Sequence, residues 1–218
     1  MLTRYGYDVL WKYFIGLLII GSLTVIFINN DPIKYSILVL LAMVTILVLN
    51  FFRDPERRPP VENRIILSPA DGKVIVIKEI FEPEYLKETA LQVSIFMSPL
   101  DVHVNRFPIS GIVQYYSYVK GEYLAAFEDK SSERNERTHI GLADGDTRVM
   151  FKQVAGAVAR RIVAEVQPGQ QVKMGERFGM IKFGSRVDVM MPKTSIIMVH
   201  LNERVKAGET ILAKYPKA

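Results

Sequence analysis

Residues 13 to 30 carry no charged side chain, and neither do residues 35 to 52. Each run is 18 residues long, close to the roughly 20 that a helix needs to cross a hydrocarbon core about 30 Å thick. Between them stands Asn29-Asn30-Asp31-Pro32-Ile33-Lys34, a polar turn with a proline breaker. So short a connection forces an antiparallel helical hairpin. Leu, Ile, Val and Phe occupy the whole circumference of both runs without a polar stripe, which favours lipid over burial as a pair of core helices. A cleavable secretory signal fits poorly, since no small-residue cleavage site follows the first run and a second apolar run does. The length leaves open whether the hairpin spans the bilayer or dips into one leaflet.

The flanking charges set an orientation. Arg4 and Lys12 precede the first run, Arg53, Arg57 and Arg58 follow the second, and the turn holds only Asp31 and Lys34. Basic residues stay on the cytoplasmic side, so both chain ends are predicted there, with the rest of the protein on the inner face of the cell membrane. Residues 53 to 218 hold 25 Lys or Arg against 21 Asp or Glu. That mild excess suits an anionic lipid surface and is too mixed to point to nucleic acid. The chain has no cysteine and three histidines, His103, His139 and His200. Disulfides and thiolate metal sites are excluded, and no dedicated metal site is expected.

Residues 53 to 64, rich in Arg and Pro, read as a stiff charged linker. Beyond it, from 65 to 218, short apolar or alternating runs between turn residues predict strands. These are 65–67, 73–80, 91–97, 111–118, 138–142, 148–154, 161–166, 179–181, 188–191 and 195–200; only Glu82 to Thr89 looks helical. Val-Lys-Met-Gly-Glu at 172–176 recurs as Val-Lys-Ala-Gly-Glu at 205–209. The repeated Val-Lys-x-Gly-Glu is a tight turn like those of biotinyl and lipoyl carrier domains. The expected fold is a mostly β domain, a flattened antiparallel β-barrel or sandwich with such hybrid turns, behind an N-terminal transmembrane helical hairpin.

Three segments carry the chemistry. They are Leu67-Ser68-Pro69-Ala70-Asp71-Gly72-Lys73-Val74, then Phe96 to Pro108 with Asp101-Val102-His103-Val104-Asn105-Arg106 inside it, and Phe183-Gly184-Ser185. A lone Gly-Ser pair is usually a turn, and Asp-Gly is a favoured hairpin pair. His103 titrates near neutrality and is the natural general acid/base. His200, in an apolar run, reads as structural.

In this order and behind an apolar hairpin, the three blocks resemble the short, archaeal-type phosphatidylserine decarboxylases, a pyruvoyl-dependent family; the likeness covers nearly all of residues 53 to 218. The resemblance implies self-cleavage at Gly184-Ser185 into a large chain, 1–184, and a small chain, 185–218, which stay together as a heterodimer. Glycine leaves its carbonyl open to attack. Ser185 Oγ would shift the acyl bond from nitrogen to oxygen, and loss of the Ser185 α-proton would expel the Gly184 carboxylate. Hydrolysis of the resulting dehydroalanine would leave covalent pyruvate, as a pyruvoyl group, on residue 185. Serine needs a neighbouring base, which the family draws from an aspartate and a histidine; Asp71 and His103 match those motifs. The pyruvoyl carbonyl would take the substrate amine and act as electron sink while carbon dioxide leaves, as pyridoxal phosphate does elsewhere. The product is phosphatidylethanolamine and the partner a membrane phospholipid.

One departure stands out. Many members carry His-x-x-His in the second block, and this chain has Arg106 at the second position. Either His103 serves both steps or His139, beside Asn135-Glu136-Arg137, assists. Arg106, Arg186 and His139 are candidates for holding the lipid phosphate or the serine carboxylate, with solvated surface charge the alternative for both arginines. A membrane-tethered carrier or adaptor barrel would explain the hairpin and turns but has no need of Asp71, His103 or Gly184-Ser185. A pyruvoyl decarboxylase for a soluble amino acid would have no reason to carry a membrane anchor. A higher oligomer is left open.

Overall fold

The computed structural model describes residues 1–121, 135–156, 161–182 and 185–216, so Phe183 and Gly184 lie outside the described residues. The chain divides into two units, Met1–Pro55 and Glu56–Ala218.

The first unit is a helical hairpin, α1 (Tyr7–Phe27) and α2 (Asp31–Phe51). Asn30 caps α2 by accepting from Ile33 N, and Pro32 sits in its first turn, where a missing N–H costs nothing. Thr24, Ser36 and Thr45 donate their hydroxyls to carbonyls four residues back, which satisfies them without water. Tyr13 and Thr45 hydrogen-bond across the hairpin at 2.7 Å. Both helices are long and apolar enough to cross a membrane, and none of the α2 span is buried inside the protein. That removes the reading of buried core helices. Where the hairpin ends, Thr3 N donates to the Phe52 carbonyl and Asp54 N to the Met1 carbonyl.

The second unit is mostly β. Its strands are β1 (Ile65–Leu67), β2 (Gly72–Glu82), β3 (Glu88–Met97), β4 (Val104–Arg106), β5 (Gly111–Val119), β6 (Arg137–Asp144) and β7 (Thr147–Ala155). They continue as β8 (Arg161–Ala164), β9 (Gln171–Val172), β10 (Arg177–Lys182), β11 (Ser185–Pro192), β12 (Ile196–Ile197), β13 (Arg204–Val205) and β14 (Ile211–Lys214). A curled antiparallel sheet runs β13-β2-β3-β11-β7-β6-β5-β9, and two small sheets, β1-β14-β12 and β4-β10-β8, accompany it. Alternation decides which face is dry. Val187, Val189 and Met191 of β11 join Val93, Ile95 and Met97 of β3 and Val149 and Phe151 of β7. Phe107, Phe151 and Phe178 pack edge-to-face or tilted within the same core.

The repeated turns behave alike. Glu176 N donates to Lys173 O and Glu209 N to Lys206 O, at 3.1 and 3.2 Å. Gly175 and Gly208 hold φ of 81° and 71°, a region that glycine enters without the clash a side chain meets.

Two local expectations fail. Glu82 to Thr89 is not a helix but the end of β2, a turn over 83–87 and the start of β3. The buried Glu82 carboxylate accepts from the N–H groups of Glu84, Tyr85 and Leu86, and Lys87 at φ 57° reverses the chain. That mimics a capped first turn, which is why it reads as helical. The strand expected at 195–200 shrinks to β12, and His200 lies in an exposed loop. The charged stretch before β1 is tied to the β unit: Glu56 pairs with Arg177, Glu62 with Lys214, and Arg57 with Asp71 and Glu209.

Candidate active site

Ser185 opens β11, the strand held between β3 and β7, with Met97 and Ala155 as its register partners. It is fully buried, and its Oγ–H donates to Met97 Sδ at 3.3 Å. A thioether is a weak acceptor, so the hydroxyl is placed without being tightly engaged.

From Met97 a buried polar chain extends. Asn105 Nδ2 reaches Met97 Sδ at 3.8 Å and the Pro69 carbonyl at 3.3 Å; its Oδ1 accepts from Gln153 Nε2 at 2.8 Å. Gln153 Oε1 in turn accepts from Thr138 Oγ1 at 2.8 Å. Asn105, Gln153 and Thr138 are each at most 1% exposed. Asn105 therefore joins the Ser-Pro-Ala-Asp loop, strand β4 and the immediate neighbour of Ser185.

His103 directly precedes β4 and is completely buried. Its carbonyl accepts from Ile181 N at 3.4 Å, which sets it beside the end of β10, four residues before Ser185. The ring Nδ1 lies 2.9 Å from the Asp101 carbonyl. A carbonyl only accepts, so Nδ1 carries the proton and a neutral ring presents its lone pair at Nε2. That is the tautomer of a general base. Asp101 is itself fixed by Ser98 N at 2.8 Å and Arg204 at 2.9 Å. Burial pushes its carboxyl up, but those donors outweigh it and hold it below its ordinary value.

Asp71 sits in the turn before β2. It accepts from Ala207 N at 2.8 Å and Arg57 Nη2 at 2.7 Å. Burial raises its carboxyl against the pull of both donors. Its described partners are thus Arg57 and Ala207 rather than His103, while its loop reaches β4 through Pro69, whose carbonyl accepts from Arg106 N and Asn105.

The three expected headgroup residues do not share one place. Arg106 is buried and donates to the Gly175 carbonyl at 2.9 Å, against the first of the repeated turns. Arg186 and His139 line a pocket of about 400 Å³. It opens on the face of the large sheet away from Ser185, because 186 and 139 have the opposite strand parity to 185 and 138. Arg186 is 2% exposed and forms a fork with Asp188, Nε to Oδ1 at 2.6 Å and Nη2 to Oδ2 at 3.2 Å. His139 Nδ1–H donates to Glu84 at 2.5 Å and its Nε2 accepts from Arg137 Nε at 3.1 Å. Both ring nitrogens are engaged, and a ring that accepts at Nε2 is neutral. Burial lowers its pKa in the same sense, and Glu84, pushed up by burial, is brought below its ordinary value by His139, Lys152 and Tyr115 together and stays ionised. Among the described residues no cluster of three or more His, Asp or Glu has the arrangement of a metal site.

A family model for phosphatidylserine decarboxylase matches residues 44–213. The chain belongs to the phosphatidylserine decarboxylase family. It is 46% identical over 215 residues to a protein of Pelodictyon phaeoclathratiforme named phosphatidylserine decarboxylase proenzyme, covering 99% of this chain and all of that one. Proteins with the same name from Chlorobium chlorochromatii and Salinibacter ruber are 53% and 47% identical over 77% and 78% of this chain, and over 78% and 76% of their own length.

The family match takes in all three blocks, and the fold explains why they belong together. The first supplies the loop that docks on β4, the second supplies β4 with His103 and Asn105, and the third begins β11. Met97 and Asn105 lie inside the second block, yet nothing in that block marks them as a link to Ser185. Gln153 and Thr138 had a faint signal. Each is polar at the inward parity of a strand whose other inward residues, Phe151 or Ile140 and Leu142, are core.

Proposed function

We propose that this protein decarboxylates phosphatidylserine to phosphatidylethanolamine with a pyruvoyl group that it makes from Ser185 by cleaving its own Gly184–Ser185 bond. The observation that carries the reading is the environment of Ser185: a dry strand end, a hydroxyl placed on Met97 and a histidine fixed in the base tautomer on the adjacent segment. Ser185 Oγ adds to the Gly184 carbonyl as its proton passes to a base, and the C–N bond breaks to give an ester. Removal of the Ser185 α-proton breaks the Cβ–O bond, and the Gly184 carboxylate departs. Water then converts the dehydroalanine to the keto group, with ammonia released. His103 is assigned the proton transfers, and Asp71, held by Arg57, fixes the loop on which β4 is seated.

Position 185 suits such a group. Strand β11 is paired along Ser185–Pro192 with β3 and along Ser185–Met190 with β7, so its first residue stays in place once the bond before it is cut. The fragment 185–218 also supplies β13, paired with β2, and β14, between β1 and β12. Pulling the two chains apart would break four strand pairings, β11 with β3 and with β7, β13 with β2 and β14 with β1, which supports a lasting heterodimer. When formed, the group supplies an electron sink for the leaving carboxylate; His103 is assigned the return of a proton to the product carbon.

A denaturing gel tests the reading. Wild type is expected to yield a fragment of residues 185 to 218 whose amino end is blocked by pyruvoyl in mass spectra, while Ser185→Ala stays one chain and converts no phosphatidylserine. An intact wild type with an ordinary serine at 185 overturns it.

We also place the β unit on the cytoplasmic face, from the basic flanks of the hairpin. Because the chain lacks cysteine, single reporters are clean. Asn29→Cys should react with an impermeant maleimide on intact cells and the exposed Val61→Cys only after lysis; the reverse pattern refutes the orientation.

A further inference from the structure

The pocket on the far side of the large sheet has charge that the reaction at residue 185 does not use. Its lining draws Lys78 from β2, Arg186 and Asp188 from β11, Lys152 from β7 and Arg137 from β6, with Glu84 from the turn after β2. Asp188 is taken by Arg186 and Glu84 by His139 and Tyr115. Four fixed cations thus face two carboxylates, and with His139 neutral the lining keeps an excess of two positive charges. Among the described residues neither Lys78 nor Lys152 forms an ion pair. Lys152 nonetheless lies close enough to the Glu84–His139 pair to lower both.

We propose that this pocket binds a phosphate-ester anion, independently of the chemistry at residue 185. A phosphate oxygen cluster accepts from several directions at once. Here two ammonium groups and a guanidinium arrive from three different strands. Arg137 spends Nε on His139 and Nη1 on the Asn135 carbonyl, which fixes the fork and leaves Nη2 for a ligand. The floor is rigid, since Arg186, Asp188 and His139 are at most 2% exposed and mutually hydrogen-bonded or paired with neighbours. A volume of about 400 Å³ lies within the range of small-molecule sites, roughly 300–1,000 Å³, and admits a phosphoglycerol group. Ile80 and Phe81, the latter 65% exposed, border it and offer apolar surface to the ester side. The anion could be a lipid headgroup or a soluble phosphate ester; both present the same group to the lysines.

Titration calorimetry on the full-length protein in neutral detergent separates the cases. The probes are glycerol 3-phosphate and inorganic phosphate for the soluble source, and dihexanoyl phosphatidylglycerol for the lipid source. Saturable binding is expected in wild type and equally in uncut Ser185→Ala. Lys78→Gln with Lys152→Gln should weaken it at least tenfold; Lys78→Arg with Lys152→Arg should retain it, and Lys193→Gln, outside the pocket, should change nothing. Tighter binding of the dihexanoyl lipid than of glycerol 3-phosphate assigns the lipid source, and equal binding the soluble one. The proposal is overturned if no probe saturates wild type, or if the double glutamine variant, folded by circular dichroism, binds as wild type does. Loss of binding in Ser185→Ala alone would show dependence on the reacting residue and also overturn it.

Discussion

The two faces of the large sheet solve the problem of buried polarity in opposite ways. On the face of Ser185 the side chains linked to it are neutral, the hydroxyls of Ser185 and Thr138 and the amides of Asn105 and Gln153, joined in a chain through Met97. The face of Arg186 holds charges, Arg186 with Asp188 as an ion pair and the Glu84 carboxylate hydrogen-bonded by the neutral His139. Neutral groups need only a partner to be buried, whereas ions need a counter-ion and remain costly. The Ser185 hydroxyl, proposed to attack a backbone carbonyl, is held by a neutral acceptor, the Met97 thioether. The charged face is suited instead to holding an ion brought from outside.

The largest break in this contrast should come from His103. Its Nδ1 is fixed on the Asp101 carbonyl, so replacing the ring removes the proposed proton carrier. His103→Ala should slow fragment formation by about 10²–10⁴-fold, the usual worth of a positioned acid/base. Pulse-labelled precursor followed on a gel reads the rate. Processing at the wild-type rate would leave the serine without its base and move the assignment elsewhere.

Next comes the charged pair. Asp188→Asn leaves a guanidinium, 2% exposed, without this counter-ion, and breaking a buried pair costs about 3–5 kcal/mol. Replacing both partners, Arg186→Met with Asp188→Leu, should recover most of that loss, since apolar substitutes for buried ion pairs are often neutral. Thermal unfolding of both variants makes the comparison. A double variant less stable than Asp188→Asn would mean the pair contributes more than mutual neutralisation.

On the neutral face the effects should be smaller. Asn105→Leu leaves the Gln153 amide and the Pro69 carbonyl with a lost partner, worth about 1–3 kcal/mol. Gln153→Leu should cost about the same, and the double variant less than the sum, with a coupling of about 0.5–3 kcal/mol. Strict additivity in a double-mutant cycle would dissolve the chain into independent contacts. If the chain also positions Ser185, Asn105→Leu should slow self-cleavage in a way that restoring stability with a lower assay temperature does not correct.

Much of this architecture was legible in the residues. The apolar hairpin follows from two uncharged runs and a proline, and strands such as β5, β6 and β7 follow from alternation, to within a residue or two at their ends. The region 82–89 misled because a buried glutamate capping three N–H groups writes the same signature as a helix start. Of the candidate site, Ser185, His103 and Asp71 stood out by motif and residue chemistry. What stayed hidden was parity across strands far apart in sequence. Nothing local says that 186 and 139 face away from 185, because that depends on β11 being placed between β3 and β7. For the same reason nothing local says that Arg106 donates to the Gly175 carbonyl. The link from Thr138 to Ser185 joins residues 47 positions apart, and no pattern within one strand records it.

The smallest effect concerns proton uptake on the charged face. His139 is held neutral, its pKa lowered from 6.5 chiefly by burial, and Glu84 is lowered from 4.5. A group whose folded pKa is depressed contributes stability above its unfolded pKa and loses it as pH falls through the folded value. The unfolded chain therefore takes up a proton at His139 below about 6.5 that the folded chain refuses, and the Glu84 contribution fades only below 4.5. Wild type should lose melting temperature between pH 7 and pH 5, and His139→Gln, which keeps a side-chain donor without a titrating ring, should lose less. The shift of Asp71 has the opposite sign but is common to both proteins and cancels in the difference. A wild type that loses less melting temperature than His139→Gln on acidification would mean the ring is protonated in the fold. Arg137 Nε could then not donate to it, and the neutral Glu84–His139–Arg137 arrangement that fixes the guanidinium over the pocket would have to be replaced by an ion pair.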